Sequence, residues 1–226
     1  MVCGGEFESS ALRFCDIYDA KSDLWVGGPS MLSARSEGDV VELSDGRQWI
    51  ISGGTSEIYE DGQFKPGPAV PFDARFQCAA RIDDLDSVWV SAGQNYIYSW
   101  LEDQWEQIGS TGAHNPDHFC GVAHKSDGQI ELVVGGGPIA SVETATSQIY
   151  SFQTQSWRNG PGLPANSAYG AVSLAYGENT FIVIGGWYSD AIWEYDPDGS
   201  VFHVREERLR EDKYNVAAVL VEDDAA

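Results

Sequence analysis

The sequence predicts an all-β protein built from about five four-stranded antiparallel sheets, the arrangement of a β-propeller. Three features predict it: a glycine pair that repeatedly ends an apolar run, an aromatic pair at fixed spacing downstream, and a small residue at one offset upstream. The glycine pairs close "VCGG", "IISGG", "LVVGG" and "IVIGG", and "VSAGQ" holds a single glycine in the same place. Their first glycines, Gly4, Gly53, Gly93, Gly135 and Gly185, lie 49, 40, 42 and 50 residues apart. A period of that size marks a structural unit that cannot bury its apolar surface alone and must stack on neighbours.

The aromatic pairs follow each glycine. Tyr18 and Trp25, Tyr98 and Trp105, Tyr150 and Trp157, and Tyr195 and Phe202 are each separated by six residues, and a shortened copy runs from Tyr59 to Phe64. On successive antiparallel strands, such residues meet as cross-strand pairs and fill the wedge between adjacent sheets. Fifteen residues before the first glycine of the four internal copies stand Gly38, Cys78, Cys120 and Gly170, each opening a short alternating run. Between that run and the glycines come Asp45-Gly46, Asp127-Gly128, Tyr176-Gly177 and the stretch Asp83 to Asp86, residues suited to tight turns. One unit therefore reads as a small-residue strand, a hairpin turn, an apolar strand ending in glycine, a Tyr strand and a Trp strand. The units span roughly residues 1–35, 36–75, 76–117, 118–167 and 168–213 of a single domain.

This pattern resembles the Kelch repeat: apolar strand, Gly-Gly, variable loop, Tyr, six residues, Trp, then a Pro-containing stretch and often an Arg. "WVGGPSMLSAR", "FKPGPAVPFDAR" and "WRNGPGLP" follow the aromatics here, and the resemblance covers nearly the whole chain. It departs from the family at Gln94, at the shortened second copy and at Phe202, and only Arg35 and Arg75 match the family arginine. No Trp-Asp dipeptide occurs, which disfavours the WD40 propeller. The resemblance implies closure by a strand exchanged between the termini. "YNVAAVLVEDD" matches "YGAVSLAYGEN", so residues 214–222 are expected to complete the N-terminal blade, whose own first strand is missing. The rival reading is an open or six-bladed propeller cut at Met1.

Composition bounds the partners. With 13 basic and 35 acidic residues the formal charge is −22, which repels phosphate backbones and anionic lipid surfaces. Nucleic acid and membrane partners are therefore not expected, and the acidity reads first as a solvated, repulsive surface. No stretch approaches the roughly 20 apolar residues of a transmembrane helix, and the start lacks a charged leader with an apolar core. The four cysteines, Cys3, Cys15, Cys78 and Cys120, lack metal-ligand spacing. Free thiols in a reducing, cytoplasmic setting are the expectation, with a Cys3–Cys15 bridge as the alternative in an oxidising one. Cys78 and Cys120 read as small packing residues.

Candidate chemistry falls on loops, because propeller strands are occupied by packing. "HNPDH" brings His114, Asp117 and His118 close in sequence and His124 follows, but that group would ligate a metal only if the loop folded back. No catalytic or metal residue is assigned and no cofactor is expected. The Tyr-Cys ligand set of the copper radical oxidases and the iron motif of the plant specifier proteins, both of this propeller class, are not matched. By the resemblance, Arg35 and Arg75 lie in loops that read peptide partners and would offer a cationic fork to an acidic or phosphorylated peptide; a structural salt bridge to a loop carboxylate is the competing reading. Asn95, His118, Trp187 and Tyr188 complete the candidate binding rim. The functional expectation is a non-enzymatic module whose loop face binds a protein or peptide. The alternative is an enzyme or carbohydrate-binding protein that uses the channel mouth.

Overall fold

The computed structural model describes residues 1–73, 78–82, 85–92, 94–109, 119–136, 146–164, 170–186, 189–211 and 218. The fold is all-β and of the β-propeller class, with one antiparallel sheet for each of the five repeats. The first sheet has the order β1 (Val2–Cys3), β4 (Cys15–Asp19), β5 (Leu24–Gly27), with a small hairpin of β2 (Glu6–Phe7) and β3 (Ser10–Ala11) inserted between β1 and β4. The second runs β6 (Asp39–Glu42), β7 (Gln48–Ser52), β8 (Thr55–Glu60), β9 (Gln63–Pro66), and the third β10 (Cys78–Ile82), β11 (Ser87–Ser91), β12 (Asn95–Ser99), β13 (Gln104–Gln107). The fourth comprises β14 (Phe119–His124), β15 (Ile130–Gly136), β16 (Thr146–Ser151) and β17 (Ser156–Gly162). The fifth comprises β18 (Val172–Tyr176), β19 (Thr180–Ile184), β20 (Ala191–Asp196) and β21 (Val201–Arg208). The strand expected at residues 214–222, and with it the closure of the first sheet, lies outside the described residues. Among the described residues no helix is long and apolar enough to cross a membrane.

The aromatic pairs take the predicted positions. Tyr18 faces Trp25, Tyr59 faces Phe64, Tyr150 faces Trp157 and Tyr195 faces Phe202 as direct register partners. Their ring centroids are 5.4, 5.0, 5.3 and 5.1 Å apart, and those of Tyr98 and Trp105 are 5.1 Å apart. Each hairpin that joins such a pair needs one residue in the left-handed region. Asp23, Asp61, Asp103, Gln155 and Ser200 occupy it, with φ of 56°, 50°, 52°, 49° and 49°. Asp and Asn tolerate this conformation better than most L residues, because a short polar side chain bonds locally. Tyr18 donates its hydroxyl to Asp23 at 2.5 Å, and Tyr98 donates to Asp103 in the same way.

The chain forms two compact units, Met1–Ala92 with Ile97–Glu106, and Gly93–Tyr96 with Gln107–Ala226. In the first unit, fully buried Trp49 stacks within 5.2 Å of both Tyr98 and Trp100 and within 5.7 Å of Trp105. Val41, Ile51, Val88 and Val90 surround it. A smaller cluster places Phe64 and Tyr59 over Cys15, Cys3 and Met31. In the second unit, Phe119, Phe181, Val183, Trp193, Tyr195 and Phe202 form one core. Gly121 is required there, because a Cβ at that position would lie 2.3 Å from Cγ of Phe181. These wedges are where an aromatic side chain contributes most, through a large buried area and tilted ring contacts.

Candidate functional site

Segments of the first two sheets and of the loop between them meet at a buried carboxylate. Glu57, on β8 and 2% exposed, accepts the backbone N–H of Leu32 at 2.7 Å and of Ser33 at 2.9 Å. It also accepts Nη2 of Arg35 at 2.8 Å and Nε at 3.3 Å. Arg35 directs its remaining Nη1 to the Ser52 carbonyl at 3.0 Å and to Oγ1 of Thr55 at 2.8 Å. The side chains of this pair are 6% and 2% exposed. A buried charge pair persists only when its remaining donors and acceptors are also satisfied, and that condition is met here.

Arg35 is thus an internal brace, the salt-bridge alternative of the two readings its sequence position allowed. Its backbone extends the brace: Arg35 N–H donates to the Leu12 carbonyl and Gly5 N–H to the Arg35 carbonyl, both at 2.8 Å. Gly4 N–H donates to Phe14 O at 2.9 Å. Gly4 has to be glycine, because its φ is +75° and a Cβ would sit 2.5 Å from the Arg35 carbonyl oxygen. The loop carrying the β2–β3 hairpin and the loop leaving β5 are therefore stitched together, and they hold three apolar side chains out in water. Phe7 is 65% exposed, Phe14 64% and Leu32 51%.

No family model matches the chain, and neither does any curated protein.

Of the other sequence candidates, Asn95 is 1% exposed at the start of β12. Its backbone exchanges hydrogen bonds with Gly109 and Ile108, and Nδ2 adds a contact to the Gly109 carbonyl at 3.3 Å, so it fastens a strand end. Arg75, His118, Trp187 and Tyr188 lie outside the described residues, as does His114. The expectation of free thiols is overturned. Cys3 and Cys15 form a disulfide, and no cysteine is free. The physical reason is register: β1 pairs with β4 so that Cys3 faces Cys15 directly. The compartment reading that rested on free thiols loses that support, since disulfides persist chiefly in oxidising surroundings.

The second unit carries a shallow groove of about 400 Å³ bordered by His124, Asn179, Asp196, Asp198 and His203. Nε2 of His203 stands 3.7 Å from Asp196. The Asp196 carboxyl lies below its usual range, first because it accepts the Gly199 backbone N–H, then through Asp198 N–H and His203. Asp198 accepts Ser126 N–H, and Glu194 is paired with Arg205 at 2.7 Å. Asp196 and Asp198 thus accept backbone N–H groups of turns, Glu194 pairs between strands β20 and β21, and among the described residues no group of three or more His, Cys, Asp or Glu is placed to hold a metal.

Proposed function

We propose that this chain is a non-enzymatic protein-interaction module of the Kelch type, which presents a loop face to a protein or peptide partner. The observation that carries the reading is that Phe7, Phe14 and Leu32, three large apolar side chains, are held exposed on loops that a buried salt bridge and several backbone hydrogen bonds keep in place. Exposed apolar side chains that are isolated need no explanation, but a group on braced loops fits a recognition surface. Bracing also lowers the entropy lost when a partner binds. Arg35 contributes by positioning this face, not by touching the partner.

The test is proximity labelling with wild-type protein and the Phe7→Ser, Phe14→Ser double variant in parallel, with thermal unfolding as the control. The expected result is an unchanged melting temperature and loss of a reproducible set of neighbours. If the variant keeps the same set, this face is not the binding surface.

A further inference from the structure

The slot two residues before each repeat tyrosine holds Asp16, Glu57, Tyr96, Gln148 and Trp193 in turn. Two of these are carboxylates, and their surroundings differ. Glu57 is filled by the loop that leaves the preceding sheet, through the Arg35 guanidinium and the N–H groups of Leu32 and Ser33. Asp16 occupies the equivalent register, opposite Gly27 where Glu57 is opposite Pro66. It is exposed, and its carboxylate has no partner among the described residues.

The aromatic pair beside it shows the same contrast. Tyr98, Tyr150 and Tyr195 are 2%, 6% and 1% exposed, whereas Tyr18 is 45% and Trp25 58% exposed. Trp105 donates its indole N–H to the Ala69 carbonyl at 2.7 Å, and Trp157 donates to the Ile108 carbonyl at 3.0 Å. Both acceptors lie on loops leaving the sheet before. The Trp25 indole has no acceptor among the described residues. Since side chains alternate along a strand and Val2 is opposite Asp16, the residues Val2, Asp16, Tyr18 and Trp25 share one face of the first sheet.

We propose that this face, separate from the loop surface discussed above, docks a basic segment of another protein that places an arginine on Asp16 and a backbone carbonyl on the Trp25 indole. The chain's own Leu32–Arg35 segment on Glu57 displays the chemistry in miniature. Guanidinium and carboxylate form charge-assisted bonds of fixed geometry, and the flanking Tyr18 and Trp25 rings favour a cation above them. The charge balance points the same way. Around this sheet Glu6, Glu8, Asp19 and Asp23 add to Asp16 against Arg13 and Lys21 alone. The −22 charge of the chain steers cationic partners in and repels a second copy.

The probe is a synthetic peptide, blocked at both ends, with the sequence of residues 29–36, whose one charged side chain is the arginine, compared with the same peptide carrying Gln in place of its arginine. Binding is followed on the intact protein by NMR, through the Trp25 indole and Asp16 amide signals. The arginine peptide is expected to shift both signals, with an affinity that falls as salt rises. The glutamine peptide, Asp16→Asn and Trp25→Ala should each weaken binding about tenfold, with the melting temperature of Asp16→Asn unchanged. Equal binding by the glutamine peptide, or full binding by Asp16→Asn, overturns the proposal. So does a Trp25 indole already protected from hydrogen exchange in the free protein, which would mean the chain itself covers the face. Sedimentation showing a dimer that Trp25→Ala dissolves would assign the face to a second copy instead.

Discussion

Replacing Glu57 with Gln tests the brace on which the loop surface depends. The substitution preserves volume but presents an amide to a site built only of donors: the Leu32 and Ser33 N–H groups and two guanidinium nitrogens. It also leaves the Arg35 charge buried without a counter-ion, in a position where its side chain is 6% exposed. Breaking a buried pair in this way costs about 3–5 kcal/mol, while an exposed pair would cost about 0–1 kcal/mol. Domains of ordinary stability have only about 5–15 kcal/mol in hand, so the difference is easily read by urea denaturation. Arg35→Met alone should fall in the same range, because it strands the carboxylate. The Arg35→Met, Glu57→Met double variant should recover only the part of the loss that comes from an unpaired buried charge, since it still deprives the Leu32 and Ser33 N–H groups of their acceptor. If Glu57→Gln changes the unfolding free energy by less than about 1 kcal/mol, the pair is solvated and the account of Arg35 as a brace fails.

Three further outcomes are expected. Cys3→Ser, Cys15→Ser should lower stability by about 3 kcal/mol in oxidising buffer, given that the bridge closes a loop with sequence separation 12; equal melts of wild type and variant would mean the bond contributes nothing. Gly121→Ala should cost about 1–3 kcal/mol through the clash with Phe181, with partial rescue by Phe181→Leu, and additive effects of the two changes would contradict the packing described. Burial raises the Asp39 carboxyl from 3.8 to about 6 despite N–H bonds from Ala79 and Val40. The unfolded state then ionises first, so this group's contribution to stability is present below the lower value and is lost as pH rises through the higher one. Asp39→Asn should remove that decline, and an unchanged pH profile would remove Asp39 as its source.

The repeat was legible because its signals are local. A glycine at a positive φ, an aromatic at a fixed count from it and a turn between two short strands are each set by a few neighbouring residues, so five sheets with these pairs could be placed from the chain alone. What escaped depends on register between elements. For Cys3 and Cys15 the sequence left two free thiols as the expectation and a bridge as the alternative, and only the β1–β4 pairing, which makes them opposite one another, decides for the bridge. Arg35 carried the mark of a peptide-binding arginine, yet its partner Glu57 is 22 residues further along and in another sheet. A carboxylate two residues before the tyrosine was the available signal, and it becomes visible only when the repeats are aligned on the aromatic pair. The exposure of Phe7 and Phe14 has no counterpart in local pattern, because among the described residues the inserted hairpin occurs in the first repeat alone.

The aromatic pair and the slot beside it divide two tasks that a repeat protein must keep apart. The pair is nearly invariant along the chain, since any sheet stacked on another needs the same large wedge at that place. The slot varies from Asp to Glu to Tyr, Gln and Trp, and what occupies it matches what the neighbour supplies: Glu57 faces a guanidinium, and Trp193 lies within an apolar core. A residue in that slot therefore reports the chemistry of its neighbour. By that reasoning, replacing Glu57 with an apolar residue would demand a matching change at Arg35. If the proposed cationic segment occupies the slot of the first sheet, exchanging Asp16 for a leucine weakens its binding while leaving the Tyr18–Trp25 contact at 5.4 Å intact, and undiminished binding refutes that assignment.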